Sequence, residues 1–211
     1  DIAHGVRFLV RGYGKKVLIS DFLAPFVDTA YGDAAGAGGA AMALATVLFA
    51  LQIYCDFSGY SDIAMGCARL MGIRLTENFR RPYAAVSIRD FWRRWHISLT
   101  RWFTDYLYIP LGGSRRGLFR QCVNILVVFL VSGLWHGANL TFVVWGGLHG
   151  LFLTAETLLL GRRQLKSSLG RWFHRAVTLV LVCFAWVFFR ASDLSQAVFI
   201  LQSIFTDFRL S

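Results

Sequence analysis

The sequence predicts an all-α, polytopic membrane protein. Three observations lead there: 56% of its 211 residues are hydrophobic, with 19 Phe, 7 Trp and only 3 Pro; the mean hydropathy is +0.52; and the apolar residues gather into runs close to the roughly 20 residues that a spanning helix needs. A soluble domain of this length could not bury so much apolar surface. The excess of 22 Lys and Arg over 12 acids, a net charge of +10, reads in this setting as basic loops on the cytoplasmic side. No basic low-complexity tail is present to make a nucleic-acid surface. The expected partner is the lipid bilayer, with no nucleic acid.

Residues 1 to 28 read as an interfacial stretch, with Arg11, Lys15 and Lys16 ahead of the apolar run from Val17 to Leu23. The first span is expected over about 36 to 55. Its Gly and Ala content, from Gly36 onward, suits close helix approach. Polar groups then appear at apolar positions: Asp56, Ser58, Ser61 and Asp62, followed by Asn78. Gly59, Gly66 and Gly72 offer places where the backbone can bend or approach a ligand, and irregular backbone at membrane depth is tolerated where it lines a cavity. Each of the two acids has an equally good structural explanation, pairing with arginines such as Arg69 and Arg74.

The stretch from Asp90 to Tyr108 has a helical pattern. Trp92, Trp95, His96, Leu99, Trp102, Phe103 and Tyr106 recur at offsets that place them on one face, with Arg94, Arg101 and Asp105 opposite. His96 then faces the protein interior; the structural alternative is an amphipathic anchor whose histidine merely points inward.

Two further spans, about 121 to 138 and 139 to 160, form a hairpin, and a fourth covers about 174 to 189. The basic stretch from Arg69 to Arg120 and the cluster Arg162, Arg163, Lys166, Arg171 and Arg175 bracket that hairpin, so both are expected in the cytoplasm and the turn from His136 to Asn139 on the far side. His136 is an ionisable group closing a strongly apolar run, and such groups inside membranes usually mark function; a histidine satisfied by a neighbouring carbonyl is the competing explanation. Cys55, Cys67, Cys122 and Cys183 lie in apolar stretches without CxxC spacing and read as small buried hydrophobes. Residues 1–211 read as a single membrane domain. Since the chain starts at Asp1 without Met or a signal-peptide pattern, it is expected to be a piece of a longer protein.

Five ordered motifs narrow the class: Gln52-Ile-Tyr-Cys-Asp-Phe-Ser-Gly-Tyr-Ser-Asp62, Glu77-Asn-Phe-Arg-Arg-Pro-Tyr83, Phe91-Trp-Arg-Arg-Trp-His-Ile-Ser-Leu-Thr-Arg-Trp102, Tyr106-Leu-Tyr-Ile-Pro-Leu-Gly-Gly113 and Gly133-Leu-Trp-His-Gly-Ala138. Together they closely resemble the membrane-bound O-acyltransferases, above all the bacterial branch that O-acetylates alginate, with the D-alanyl transferases of teichoic acid synthesis more distant. Trp186-Val-Phe-Phe-Arg-Ala191 extends the likeness toward the C-terminus. Cys55 stands where a larger apolar residue is expected.

The resemblance implies a helical funnel, present here in part, open to the cytoplasm with a histidine at its narrow end. That histidine carries over to His136 and a second family histidine to His96. It implies transfer of an acyl group, acetyl by closest likeness, from a cytoplasmic thioester donor (acetyl-CoA or an acyl carrier protein) to a hydroxyl on the periplasmic side. The acceptor would be a polysaccharide such as alginate, or a periplasmic relay protein that modifies it. It also implies residence in the bacterial inner membrane, with no bound cofactor or metal. On that reading His136 is the general base, His96 orients the thioester or assists proton transfer, and Asp56, Asn78 and Ser58 are candidates for contacting substrate. The competing classes are a transporter or channel with a buried His and Asp relay, disfavoured by the lack of an internal repeat, a non-catalytic scaffold, and D-alanyl or peptidoglycan acyl transfer within the same family.

Overall fold

The computed structural model describes residues 2–160 and 167–209, so Arg162, Arg163 and Lys166 lie outside the described residues. Every element among the described residues is helical. Helices Ala34–Leu70, Leu118–His136, Leu140–Leu159 and Ser168–Arg190 are long and apolar enough to cross a membrane. They contain or closely match the four expected spans. The chain divides into two compact units, residues 1–78 with 195–211, and residues 79–194.

In the first unit, α1 (Ile2–Tyr13), a wider π-helical stretch (Gly14–Ser20) and α2 (Asp21–Gly32) follow one another and pack along α3 (Ala34–Leu70). The expected interfacial stretch is thus a helical rod seated on the first span. At 37 residues α3 far exceeds the predicted 36 to 55. Its length of about 55 Å at 1.5 Å per residue is more than a hydrocarbon core of about 30 Å can contain. The polar motif from Asp56 to Asp62 does not break the helix. The irregular residue is Gly38, with φ 70° and ψ 159°, where a Cβ would meet the carbonyl of Arg209.

The glycines of α3 serve helix packing rather than ligand approach. A Cβ on Gly12 would lie 2.7 Å from the Gly59 carbonyl oxygen, and one on Gly66 2.9 Å from that of Gly5, so two pairs spaced seven residues apart let α1 and α3 touch backbone to backbone. Asp62 shares that face and is buried; its carboxylate accepts from Arg11 at 2.6 and 2.8 Å and from Lys15 at 2.8 Å. Lys16 bonds Asp56 at 2.6 Å and Asp21 at 2.9 Å. The partners of the two acids are therefore cations of the N-terminal rod, not Arg69 or Arg74, because the acids point toward the helix that packs on them. α9 (Leu194–Thr206) completes this unit, with Gln196 Nε2 donating to the Tyr31 carbonyl at 2.8 Å.

The second unit holds α4 (Ile88–Trp92), α5 (Ile97–Phe103), a π-helical stretch (Thr104–Tyr108), α6 (Leu118–His136), α7 (Leu140–Leu159) and α8 (Ser168–Arg190). The single helix expected over 90 to 108 is interrupted at 93–96, where His96 adopts a left-handed conformation (φ 44°, ψ 54°). The break divides the aromatic stripe: Trp95 and Phe103 are buried, whereas Trp102 and Tyr106 are mostly exposed. Helical periodicity could not reveal this, since the apolar spacing in the sequence continues across the break. α6 and α7 form the expected hairpin. Cβ atoms on Gly133 and Gly146 would collide with the carbonyls of Phe142 and Phe129, which is why both positions need a residue without a side chain. Of the cysteines, Cys55 and Cys122 are buried as expected, but Cys67 is exposed.

Candidate active site

The second unit assembles around aromatic rings from α4, the turn after it, α7 and α8. Phe91, Trp95, Trp145 and Trp186 are almost wholly buried. Trp95 packs on Trp186 with ring centroids 5.2 Å apart, and Trp145 stacks on Trp186 at 5.9 Å. Short α4 is started by Ser87, whose hydroxyl accepts from Asp90 N at 3.1 Å. It is tied to α7 by Arg89, whose guanidinium donates to Thr157 Oγ1 at 2.8 Å and whose backbone N–H donates to Glu156 at 3.2 Å.

His136 ends α6 and is ringed by aromatics from three helices: Trp135 at 5.1 Å, Trp145 at 5.1 Å, Phe189 at 5.3 Å and Phe142 at 6.3 Å between centroids. The turn that follows is held by Asn139, which caps α7 by accepting from Thr141 N at 3.1 Å and donates to the Ser192 carbonyl at 2.7 Å. His136 is thus set on a fixed corner.

His96 belongs to the same unit and comes close enough to His136 for electrostatic coupling. Burial, and secondarily the charge His136 can carry, push the His96 imidazole down to about 4. It is a neutral base over the physiological range. Its left-handed backbone is uncommon for a residue with a Cβ, and such strained residues cluster at functional sites. Arg81, φ 49°, is the other such residue outside glycine among those described.

The same unit holds a cavity of about 310 Å³, whose lining reaches Ser132 on α6 and Leu99 on α5 but includes neither histidine. Arg89, Arg93, Tyr108 and Gln121 are among its polar lining, and Trp92, Phe103, Ile125, Val128, Phe129 and Leu153 among its apolar walls. Gln121, Ile125, Val128, Phe129 and Ser132 lie on one face of α6, and His136, one turn past Ser132, lies on the same face. The cavity therefore follows α6 from Gln121 to Ser132, one turn short of His136.

Asp56, Ser58 and Asn78 lie in the first unit. Asp56 is ion-paired to Lys16, Ser58 is buried, and Asn78 follows the end of α3. One residue escaped sequence reasoning altogether. His149, in the middle of α7, is fully buried and accepts a hydrogen bond from Trp92 Nε1 at 3.3 Å. The signal was available, since it too is an ionisable group within a spanning helix.

The family model for the membrane-bound O-acyltransferase family matches residues 1–194. The chain is 42% identical over 212 residues to a protein described as "Probable alginate O-acetylase AlgI" from Pseudomonas putida, covering 99% of this chain and 43% of that one. It is 38% identical over 205 residues to the peptidoglycan O-acetyltransferase of Helicobacter pylori, covering 97% and 39%. A teichoic acid D-alanyltransferase of Bacillus subtilis is 27% identical over 153 residues, covering 67% and 39%. The chain spans about two-fifths of the length of these curated relatives.

Proposed function

The chain belongs to the membrane-bound O-acyltransferase family, and from that premise we propose that residues 1–211 are part of one membrane domain that transfers an acetyl group from a cytoplasmic thioester to a hydroxyl on the periplasmic side of a bacterial inner membrane. The observation that carries the proposal is the placement of His96 and His136 together in one unit, with His136 on the α6 face that lines a cavity with a cationic end.

The chemistry suits these parts. Arg89, held by Thr157, and Arg93 supply cations for the phosphate of a coenzyme A or phosphopantetheine donor, and the apolar walls accept its arm. At the far end the acceptor hydroxyl oxygen attacks the thioester carbonyl carbon while its proton passes to His136. The carbon–sulfur bond breaks, and the departing thiolate takes that proton. His96, neutral at pH 7, orients the thioester. The basic end faces the cytoplasm because basic loops stay on that side.

Acetyl as the transferred group, and a polysaccharide hydroxyl or a periplasmic relay protein as the acceptor, are supported by the activities named for the alginate and peptidoglycan relatives. Membrane vesicles carrying the full protein and given radiolabelled acetyl-CoA should label an acceptor, and His136→Ala should reduce that to less than about a tenth, since general-base catalysis contributes typically 10²- to 10⁴-fold. Labelling above that level by the variant would overturn the assignment of His136. Mass spectrometry of the extracellular glycan from a deletion strain separates the acyl groups: loss of D-alanyl esters with O-acetylation unchanged would overturn acetyl.

A further inference from the structure

We propose that His149 is a positioning residue for this acyl transfer, holding the Trp92 indole as a wall of the donor cavity and, through Trp145, backing the His136 ring. The proposal rests on the acyltransferase reading above.

His149 has no exposed surface, and its ring lies nearly parallel to two phenylalanines, Phe91 at 6.1 Å with planes 7° apart and Phe129 at 6.1 Å and 22°. Trp92 Nε1–H donates to its Nδ1 at 3.3 Å. Because Nδ1 accepts, the ring proton sits on Nε2, and Nε2 has no hydrogen-bond partner among the described residues. A phenylalanine would fill much of the same space beside Phe91 and Phe129 and would carry no unpaired Nε2–H of its own. As a core filler, histidine is the worse choice.

What histidine adds is the acceptor for Trp92. The indole lines the donor cavity and meets Phe129, another wall, edge-on at 5.1 Å. A tryptophan without that bond would bury an unsatisfied N–H, so the hydrogen bond selects one indole orientation. Trp145 carries the second link: it lies edge-on to His149 and to His136, each with centroids 5.1 Å apart. One buried imidazole thus braces both the channel that admits the thioester and the ring beside the general base.

Two substitutions separate positioning from packing. His149→Phe keeps an aromatic ring and removes the acceptor; His149→Asn loses packing but places an amide oxygen near the position of Nδ1. In vesicles of the full protein with radiolabelled acetyl-CoA as probe, His149→Phe should raise the KM for acetyl-CoA about tenfold, the scale of one unpaired buried donor. His149→Asn should lie nearer wild type in KM while being the less thermally stable of the two in detergent. Trp92→Phe should match His149→Phe, and the double variant should be no worse than either. A wild-type KM in His149→Phe, or an activity order that follows the stability order, would overturn the positioning role. No labelling by the wild type would instead overturn the acetyl-transfer reading, and the inference with it; full labelling by His136→Ala would overturn the role of His136 and with it the link through Trp145.

Discussion

His136 meets Trp145 edge to face, with ring centroids 5.1 Å apart and planes at 89°. That contact joins the last residue of α6 to the first half of α7, so the imidazole is fixed by the helix hairpin rather than by a loop. A rigid element is the better support for a group whose geometry matters to within a fraction of an ångström. Trp145→Ala should therefore lower kcat for acetyl transfer by more than about tenfold with the protein still inserted in the membrane. A normal kcat would show that His136 does not depend on this wall.

His96 calls for a choice of substitution that respects its backbone. At φ 44° and ψ 54°, alanine would carry a left-handed strain of about 1–2 kcal/mol, mixing structural and chemical loss. Asparagine tolerates that conformation. His96→Asn should keep the fold and lose activity at least tenfold, and His96→Ala should lose both activity and thermal stability. Equal activity in His96→Asn and wild type would remove His96 from the chemistry.

The spans were legible in the sequence because length and hydropathy alone identify them, and His136 because one ionisable group at the end of an apolar run is conspicuous. The break at 93–96 was hidden: Trp92, Trp95, Leu99 and Phe103 keep helical spacing across it, and only the backbone of His96 betrays the interruption. The pairing of Asp62 with Arg11 lies 51 residues apart in sequence, beyond any local pattern. The Trp92–His149 bond spans 57 residues and was missed for the same reason, since the value of His149 depends on which ring donates to it.

The depressed imidazole of His96 has a consequence for stability. Its ordinary value is near 6.5 and its folded value about 4, so between these limits the unfolded chain binds the proton more readily than the folded one. The contribution is fully present above about pH 6.5 and is lost as pH falls toward 4. Thermal melts in detergent should show stability declining over that window, and His96→Asn should flatten the decline. An unchanged slope in the variant would mean that His96 titrates normally.

Neighbouring glycines of α7 make a matched pair. A Cβ on Gly146 would run into the Phe129 carbonyl, whereas one on Gly147 would sit 3.6 Å from a Leu130 methyl, an ordinary contact. Gly146→Ala must push α7 from α6 and should reduce detergent-stable protein severalfold, because membrane helices rely on close backbone approach. Gly147→Ala should be neutral or slightly stabilising, as alanine favours helix. Equal yields on gel filtration would contradict the close packing of the hairpin.

The orientation of the hairpin decides whether donor and acceptor reach His136 from opposite sides. Arg115, Arg116 and Arg120 flank the start of α6, and basic residues close to a span stay in the cytoplasm. The proposed orientation puts the turn after His136 on the periplasmic side, because α6 is long enough to cross the membrane once between Arg120 and that turn. Cysteines can report this directly. Arg116→Cys is exposed and touches no part of the proposed chemistry. Ala138→Cys is exposed too, and it spares Asn139, whose bonds to Thr141 and Ser192 hold the turn. In a background whose exposed Cys67 is replaced, a membrane-impermeant maleimide added to intact cells should label Ala138→Cys and leave Arg116→Cys untouched until the membrane is opened. Labelling of both from one side would make α6 re-entrant, and transfer across the membrane would give way to transfer on a single face.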